Sequence, residues 1–168
     1  TPNAAFYVRW HLEGIPNAVN LSDWRLFVEG HVEIALALTM SGLMKRFKSI
    51  SIAAVNQCSG NSRSRFQPRV PGAQWGNGAM GNALFTGVRL KDLLDAAGVK
   101  TGSLQVQFEG LEKGRGLKDS VSYRYLKSLN LNDPVINETI VAYEMNGEPL
   151  PMLNGFPVRL VVPGKFST

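Results

Sequence analysis

Between residues 56 and 87 the chain carries six glycines, Gly60, Gly72, Gly76, Gly78, Gly81 and Gly87, together with Pro68 and Pro71. Glycine and proline at this density break helices and strands, so the whole stretch reads as loop. A structureless segment of that length inside a compact domain is usually functional or disordered. Phe66, Trp75 and Met80 give this one apolar anchors and argue that it is ordered. The chain has many loops and no internal repeat.

What leads into the loop is ISIAAV, residues 50–55, whose continuous apolar and partly β-branched character predicts a buried strand. It delivers NQCSGNSRSRF, and with it Cys58, to a sheet edge. Cys58 is the only cysteine, so no intramolecular disulfide can form. A free cysteine is commonly a small buried apolar residue. This one is followed by small polar residues and by Arg63, Arg65 and Arg69. Soft sulfur suits a redox metal, and guanidinium groups lower a thiol's pKa and draw in anions.

Elsewhere the pattern is mixed. WRLFVE (24–29) alternates as a strand, and Thr39 is placed to cap a short helix ending at Phe47. VRLKDLLDAAG predicts a helix with an apolar face of Val88, Leu90, Leu93, Leu94 and Ala97, closed by Gly98. Residues 104–108 alternate as a strand, SVSYRYLKSLN reads as a short helix, and ETIVAYEM enters a hairpin at Asn146 and Gly147. FPVRLVVPG reads as a buried strand whose Arg159 requires a partner or a bound anion. Trp24 and Trp75 read as core anchors, His31 as a solvated loop residue, and Lys45, Arg46 and Lys48 as an exposed helix end.

Length and charge set outer limits. A chain of 168 residues, 44% apolar, can bury one sizeable core. Its apolar runs, such as IALAL, fall far short of the roughly 20 residues that span a bilayer. The net charge of +5 suits an anionic ligand or an acidic partner. No nucleic-acid-binding motif is present.

Five blocks, FYVRWH (6–11), NQCSGNSR (56–63), GAQWGNGAMGNA (72–83), FEGLE (108–112) and AYEMNGEPLPMLNGFPVRLVVPG (142–164), together resemble the sulfite oxidase family, most closely its bacterial sulfite dehydrogenases. The match is in order and nearly chain-long; the CxGNxR element alone is shared with plant-type nitrate reductases. The resemblance implies an α+β molybdopterin-binding domain of mixed sheets, short helices and long loops, occupying 1–168. It implies Cys58 as the protein ligand to molybdenum. Tyr7, Val8, Arg9, Trp10 and His11 would line the cofactor, with Glu112, Asn154 and Arg159 contacting the pterin and its phosphate. Arg9, Arg63 and His11 would be the catalytic set, the two arginines facing the substrate anion.

The implied reaction is oxidation of sulfite to sulfate by oxygen-atom transfer at a cysteine-ligated molybdenum-oxo centre. Electrons would pass to a c-type cytochrome, in a periplasmic setting. Reduction of nitrate or a sulfoxide at the same cofactor, or a non-catalytic module that docks a partner through its basic face, are the alternatives. Past PGKFST the family continues into a segment that closes the cofactor site, a catalytic tyrosine and an immunoglobulin-like dimerisation domain. Within the blocks, Leu84 and Phe85 stand in place of an Arg and Trp pair, and Lys165 and Phe166 in place of an aromatic pair.

Overall fold

The computed structural model describes residues 1–116 and 120–167. In chain order its elements are β1 (Leu12–Gly14), β2 (Leu26–Val28), β3 (Leu36–Leu38), α1 (Met40–Arg46), β4 (Ser49–Gln57), β5 (Met80–Arg89), α2 (Leu90–Ala97), β6 (Gln105–Gly116), β7 (Ser122–Asn130), β8 (Ile140–Met145), β9 (Glu148–Pro149) and β10 (Arg159–Val161). They form a three-stranded sheet β1-β6-β7, a five-stranded sheet β10-β8-β5-β4 with β9 added to β8, and the pair β2-β3. This is the mixed α+β architecture that the sequence implies. No helix of the described residues is long and apolar enough to cross a membrane.

The five-stranded sheet has apolar layers on both faces. Along β8, Ile140, Ala142 and Met145 join Phe6, Ala83, Phe85, Leu150 and Val161 in one core. Val141 and Tyr143 join Leu36, Leu38, Leu43, Val88, Leu93 and Ala97 in the other. An interior strand covered on both sides reads as a continuous apolar run, as IVAYEM does. The hairpin at its end turns through Asn146 (φ 55°) and Gly147 (φ 81°), the left-handed pair that a two-residue turn requires.

The start of α1 and the end of α2 lie where their signals are. Thr39 accepts the amide N–H of Gly42 at 3.0 Å, capping α1. Gly98 closes α2 at φ 66° with its N–H on Leu94 and Asp95 oxygens. Lys45 and Arg46 occupy the exposed last turn of α1, and His31 is exposed with Nδ1 3.0 Å from Ser103 Oγ.

Five expectations are corrected. The strand over ISIAAV is real but lies at the sheet edge, so only Ile50, Ile52 and Ala54 pack inward while Val55 is exposed. The glycine-rich loop ends at Ala79, because residues 80–87 belong to β5; Gly81 and Gly87 are there for close approach, not for a turn. Val88, placed on the helix face, is buried from β5. SVSYRYLKSLN is the strand β7 rather than a helix: its alternating tyrosines and leucines pair along β6 from Gln105↔Asn130 to Arg115↔Ser122, and sheet pairing overrides local helical preference. Trp24 and Trp75 are only partly covered and stand outside the buried clusters.

A Cβ on Gly87 would lie 2.1 Å from Val141 O and 2.5 Å from Ala142 Cα, at the register shift between β5 and β8. Backbone cannot move aside as a flexible side chain can. Gly87→Ala is therefore expected to destabilise the fold by about 3 kcal/mol, read as a lowered urea midpoint. Gly78→Ala, where a Cβ meets nothing within 4 Å, is the control expected to leave the midpoint unchanged.

Candidate active site

Strands β4 and β5 pair without interruption from Ser49↔Val88 to Gln57↔Met80, which brings the two ends of the 58–79 loop together. Cys58 is the first residue past that clamp. Its N–H donates to Ala79 O at 2.9 Å and its carbonyl accepts from Asn61 N at 2.9 Å. The thiol sulfur takes the Gly60 N–H at 3.4 Å, and the residue is 6% exposed. Asn61 Oδ1 in turn accepts from Ala79 N at 3.0 Å. A tight turn of backbone amides thus holds the sulfur from one side.

Arg63 is folded into the same loop. Its guanidinium passes between Gly60 and Gly72, where added Cβ atoms would lie 2.9 Å and 2.2 Å from it. Nη1 donates to Ala73 O at 3.3 Å. The two glycines are the slot for this side chain, and Gly60 is also the donor to Cys58, so the cation and the thiol share one wall.

Arg159 approaches from β10. Nη1 donates to Asn154 O at 3.0 Å, Nη2 to Asn56 Oδ1 at 3.3 Å, and the guanidinium carbon sits 5.6 Å from the centre of the Phe85 ring. Burial lowers its pKa from the ordinary arginine value. Both of these hydrogen-bond partners are neutral, and among the described residues no salt bridge involves Arg159. Asn154, itself buried, donates Nδ2 to Tyr7 O at 3.3 Å. Burial raises the Tyr7 pKa, opposed by a hydrogen bond with Ser167 and by Arg159, while the nearby Cys58 raises it further. Tyr7, Cys58, Asn154 and Arg159 are therefore one cluster.

His11, Glu112 and Arg9 form its flank. Buried Glu112 accepts the backbone N–H groups of both His11 and Leu12 through Oε1. The His11 ring stacks on Tyr125 with centroids 5.4 Å apart. Burial, then the Arg9 charge, then Lys127, lower the His11 pKa against the opposing effect of Glu112. Tyr125 also acts electrostatically on Arg159, which links the flank to the cluster. Val8 is exposed, and Trp10 is partly covered.

Sequence reasoning missed Tyr125, Asn56 and Ser167. Tyr125 comes from β7, the segment read as a helix; the alternation Tyr123, Tyr125 was the available signal for a strand. Ser167 reaches the cluster by donating N–H to Gln57 O at 2.9 Å, and no local pattern marks it. Of the substituted pairs, Phe85 is fully buried beneath Arg159, Leu84 is exposed, and Lys165 is 3.1 Å from Asp133.

The residues present fit an anionic, acceptor-rich group. Among the described residues, the buried side-chain polar atoms without a partner are Trp10 Nε1, Asn56 Nδ2 and Trp75 Nε1. All three are donors. Buried donors without acceptors are costly, and together with an uncompensated guanidinium they call for oxygen acceptors such as those of a phosphate or pterin. Among the described residues no three His, Cys, Asp or Glu side chains converge. A metal joined by Cys58 would bring its other ligands with it, as a molybdenum carried on a pterin does.

The geometry defines a cofactor-binding oxidoreductase domain with a single protein thiol. The chain belongs to the oxidoreductase molybdopterin binding domain family, whose model matches residues 11–168, and the cofactor of that family is the molybdenum cofactor. It is 41% identical over 170 residues to the mitochondrial sulfite oxidase of Drosophila melanogaster, a match spanning 98% of this chain and 28% of that protein. To an NADH nitrate reductase of Brassica napus it is 37% identical over 169 residues, 98% of this chain and 18% of that one. The fold superimposes on the sulfane dehydrogenase SoxCD of Paracoccus pantotrophus with a TM-score of 0.78 and 30% identity, over 98% of this chain and 39% of that chain. The chain thus spans well under half the length of each of these proteins.

The lowered His11 pKa has a consequence for stability. Its neutral form is favoured in the fold, so its contribution is fully present above the ordinary histidine pKa of 6.5 and is lost as pH falls through the lower folded value. The melting temperature of the protein is expected to fall as the pH drops from 6.5 through the lower folded value, and His11→Gln to flatten that part of the profile.

Proposed function

We propose that this domain oxidises sulfite to sulfate at a molybdenum cofactor held by Cys58. The observation that carries the reading is the buried thiol, gripped by a backbone N–H, in a chain whose described residues include buried unpaired donors and no cluster of three His, Cys, Asp or Glu side chains. When bound, the cofactor supplies oxygen-atom transfer and a two-electron redox couple.

The chain's own residues then have separable tasks. Cys58 provides the sulfur ligand, and the turn that fixes it leaves little freedom for exchange. Arg159 and Asn154 hold the pterin's anionic end, a role that a guanidinium with neutral partners is suited to because its charge is left for the ligand. His11, kept neutral, and Trp10 offer ring N–H donors, while Glu112 fixes the backbone from which they project. Arg9 and Arg63 neutralise the substrate's negative oxygens, leaving the sulfur lone pair free to react. Tyr7 and Val8 complete the wall on the side of the N-terminal segment. Tyr125, stacked on His11, closes the site from β7.

Electrons leave to a one-electron acceptor, which we take to be a c-type cytochrome in the periplasm; the net charge of +5 suits an acidic partner. The 41% identity to a sulfite oxidase supports sulfite as substrate. The 37% identity to a nitrate reductase makes nitrate the competing substrate.

Steady-state rates with sulfite and with nitrate, using cytochrome c and a reduced dye respectively, decide between them. Sulfite turnover is expected, and turnover of nitrate alone would overturn the reading. Cys58→Ser is expected to abolish sulfite oxidation, and retained turnover would remove Cys58 as ligand. Arg63→Gln is expected to raise KM for sulfite about tenfold with a smaller change in kcat, consistent with loss of one charged hydrogen-bond donor. An effect confined to cytochrome affinity would place Arg63 on the docking face instead.

A further inference from the structure

Asn56 is the last buried residue of β4, two positions before Cys58, and is 5% exposed. Its side-chain oxygen accepts two hydrogen bonds, from Arg159 Nη2 at 3.3 Å and from Ser167 Oγ at 2.7 Å. Those two donors fix which end of the carboxamide faces them. The other end, Nδ2, is buried and has no acceptor. A side chain that only clipped Arg159 and Ser167 together would need the oxygen and gain nothing from a buried amide nitrogen. Leaving that donor unmatched costs free energy unless something accepts from it.

The choice of amide over carboxylate is informative for the same reason. An aspartate here would accept from both donors equally well and would form an ion pair with a desolvated guanidinium. It would also cancel the positive charge. Asparagine orients Arg159 and leaves its charge available, while adding a neutral donor alongside it.

We propose that Asn56 is a positioning and binding residue of the cofactor site: it aims the Arg159 guanidinium through its oxygen and supplies, through Nδ2, a hydrogen-bond donor to the anionic group that Arg159 attracts. This rests on the reading of Arg159 as a holder of the pterin's anionic end. Ser167, bonded to the same oxygen and to Gln57 O, secures the carboxamide from the C-terminal side. Tyr7 touches the arrangement through Ser167.

The test measures pterin and molybdenum per chain in the purified full-length protein, and the rate at which pterin is released on dilution, for Asn56→Asp, Asn56→Ala and Arg159→Gln. Circular dichroism of the same samples reports folding. Asn56→Asp keeps both acceptor contacts and removes the donor and the free charge, so it is expected to stay folded while retaining less than a tenth of the wild-type pterin. Asn56→Ala is expected to release pterin about tenfold faster, the loss expected for one hydrogen bond to a charged group. Wild-type occupancy and release in a folded Asn56→Asp protein would overturn the proposal and leave Asn56 a structural clip. Should Asn56→Asp not fold, wild-type release from Asn56→Ala would overturn it in the same way. Loss of pterin in Arg159→Gln alone would sink only the role given to Asn56; retention in Arg159→Gln would sink the assignment of Arg159 on which it rests.

Discussion

The site depends first on the β4–β5 ladder. Its nine residue pairs run to Gln57↔Met80 without a shift, so a loop of more than twenty residues starts and finishes at neighbouring points. Closing such a loop is entropically unfavourable when it must be done by the loop's own contacts. Here the strands do it, and the loop contacts are free to shape a site. Cys58 follows directly from the clamp and takes its backbone partner, Ala79, from the opposite end of the loop. The close approach of Phe6 to Gly81, where a Cβ would lie 2.7 Å from the ring, lets the N-terminal segment lie against the same ladder. Tyr7 and His11 are positioned by that contact and by Glu112.

Charge is arranged around this frame with an asymmetry. The exposed cations Lys91, Arg115 and Arg124 are paired with carboxylates, where such pairs contribute little. The guanidinium that is most desolvated, Arg159, has amide and carbonyl oxygens instead. Neutral acceptors satisfy its N–H groups without cancelling its charge. A desolvated cation left with its charge uncompensated is unfavourable by itself and favourable beside an anion. The unpaired Nδ2 of Asn56, whose oxygen bonds Arg159, repeats the same bias. Groups left unmatched in this way cost stability, and such departures from local rules are expected where a protein binds a ligand.

Much of this was legible in the sequence, and the failures have physical causes. Thr39, Gly98 and the Asn146–Gly147 turn announce themselves because capping and left-handed turns depend on one or two residue types. Cys58 stood out because its neighbours are wrong for a core position. By contrast, SVSYRYLKSLN was read as a helix because nothing local reveals the partner strand; pairing with β6 is a non-local fact, and Tyr125 went unnoticed with it. The edge position of β4 was hidden for a similar reason: an apolar run looks alike whether one face or both are covered. Gly81 and Gly87 were read as loop punctuation, yet they serve the approach of Phe6 and of β8. Asn56 and Ser167 gave no signal, since each matters only through residues more than a hundred positions away.

Those distant contacts explain why the site sits where it does. The five-stranded sheet has β10 at one edge and β4 at the other. From β10 the chain passes Lys165, tied to Asp133, and reaches Ser167, which bridges in parallel to Cys58 just beyond the end of β4. The two edges are thereby joined through Arg159, Asn56 and Ser167 rather than by a continuous ladder. The seam is made of polar side chains, and Asn56 Nδ2 within it has no partner. A group bound across the seam, in contact with both Cys58 and Arg159, would therefore complete the closure of the sheet, so that holding the cofactor and finishing the fold become one act.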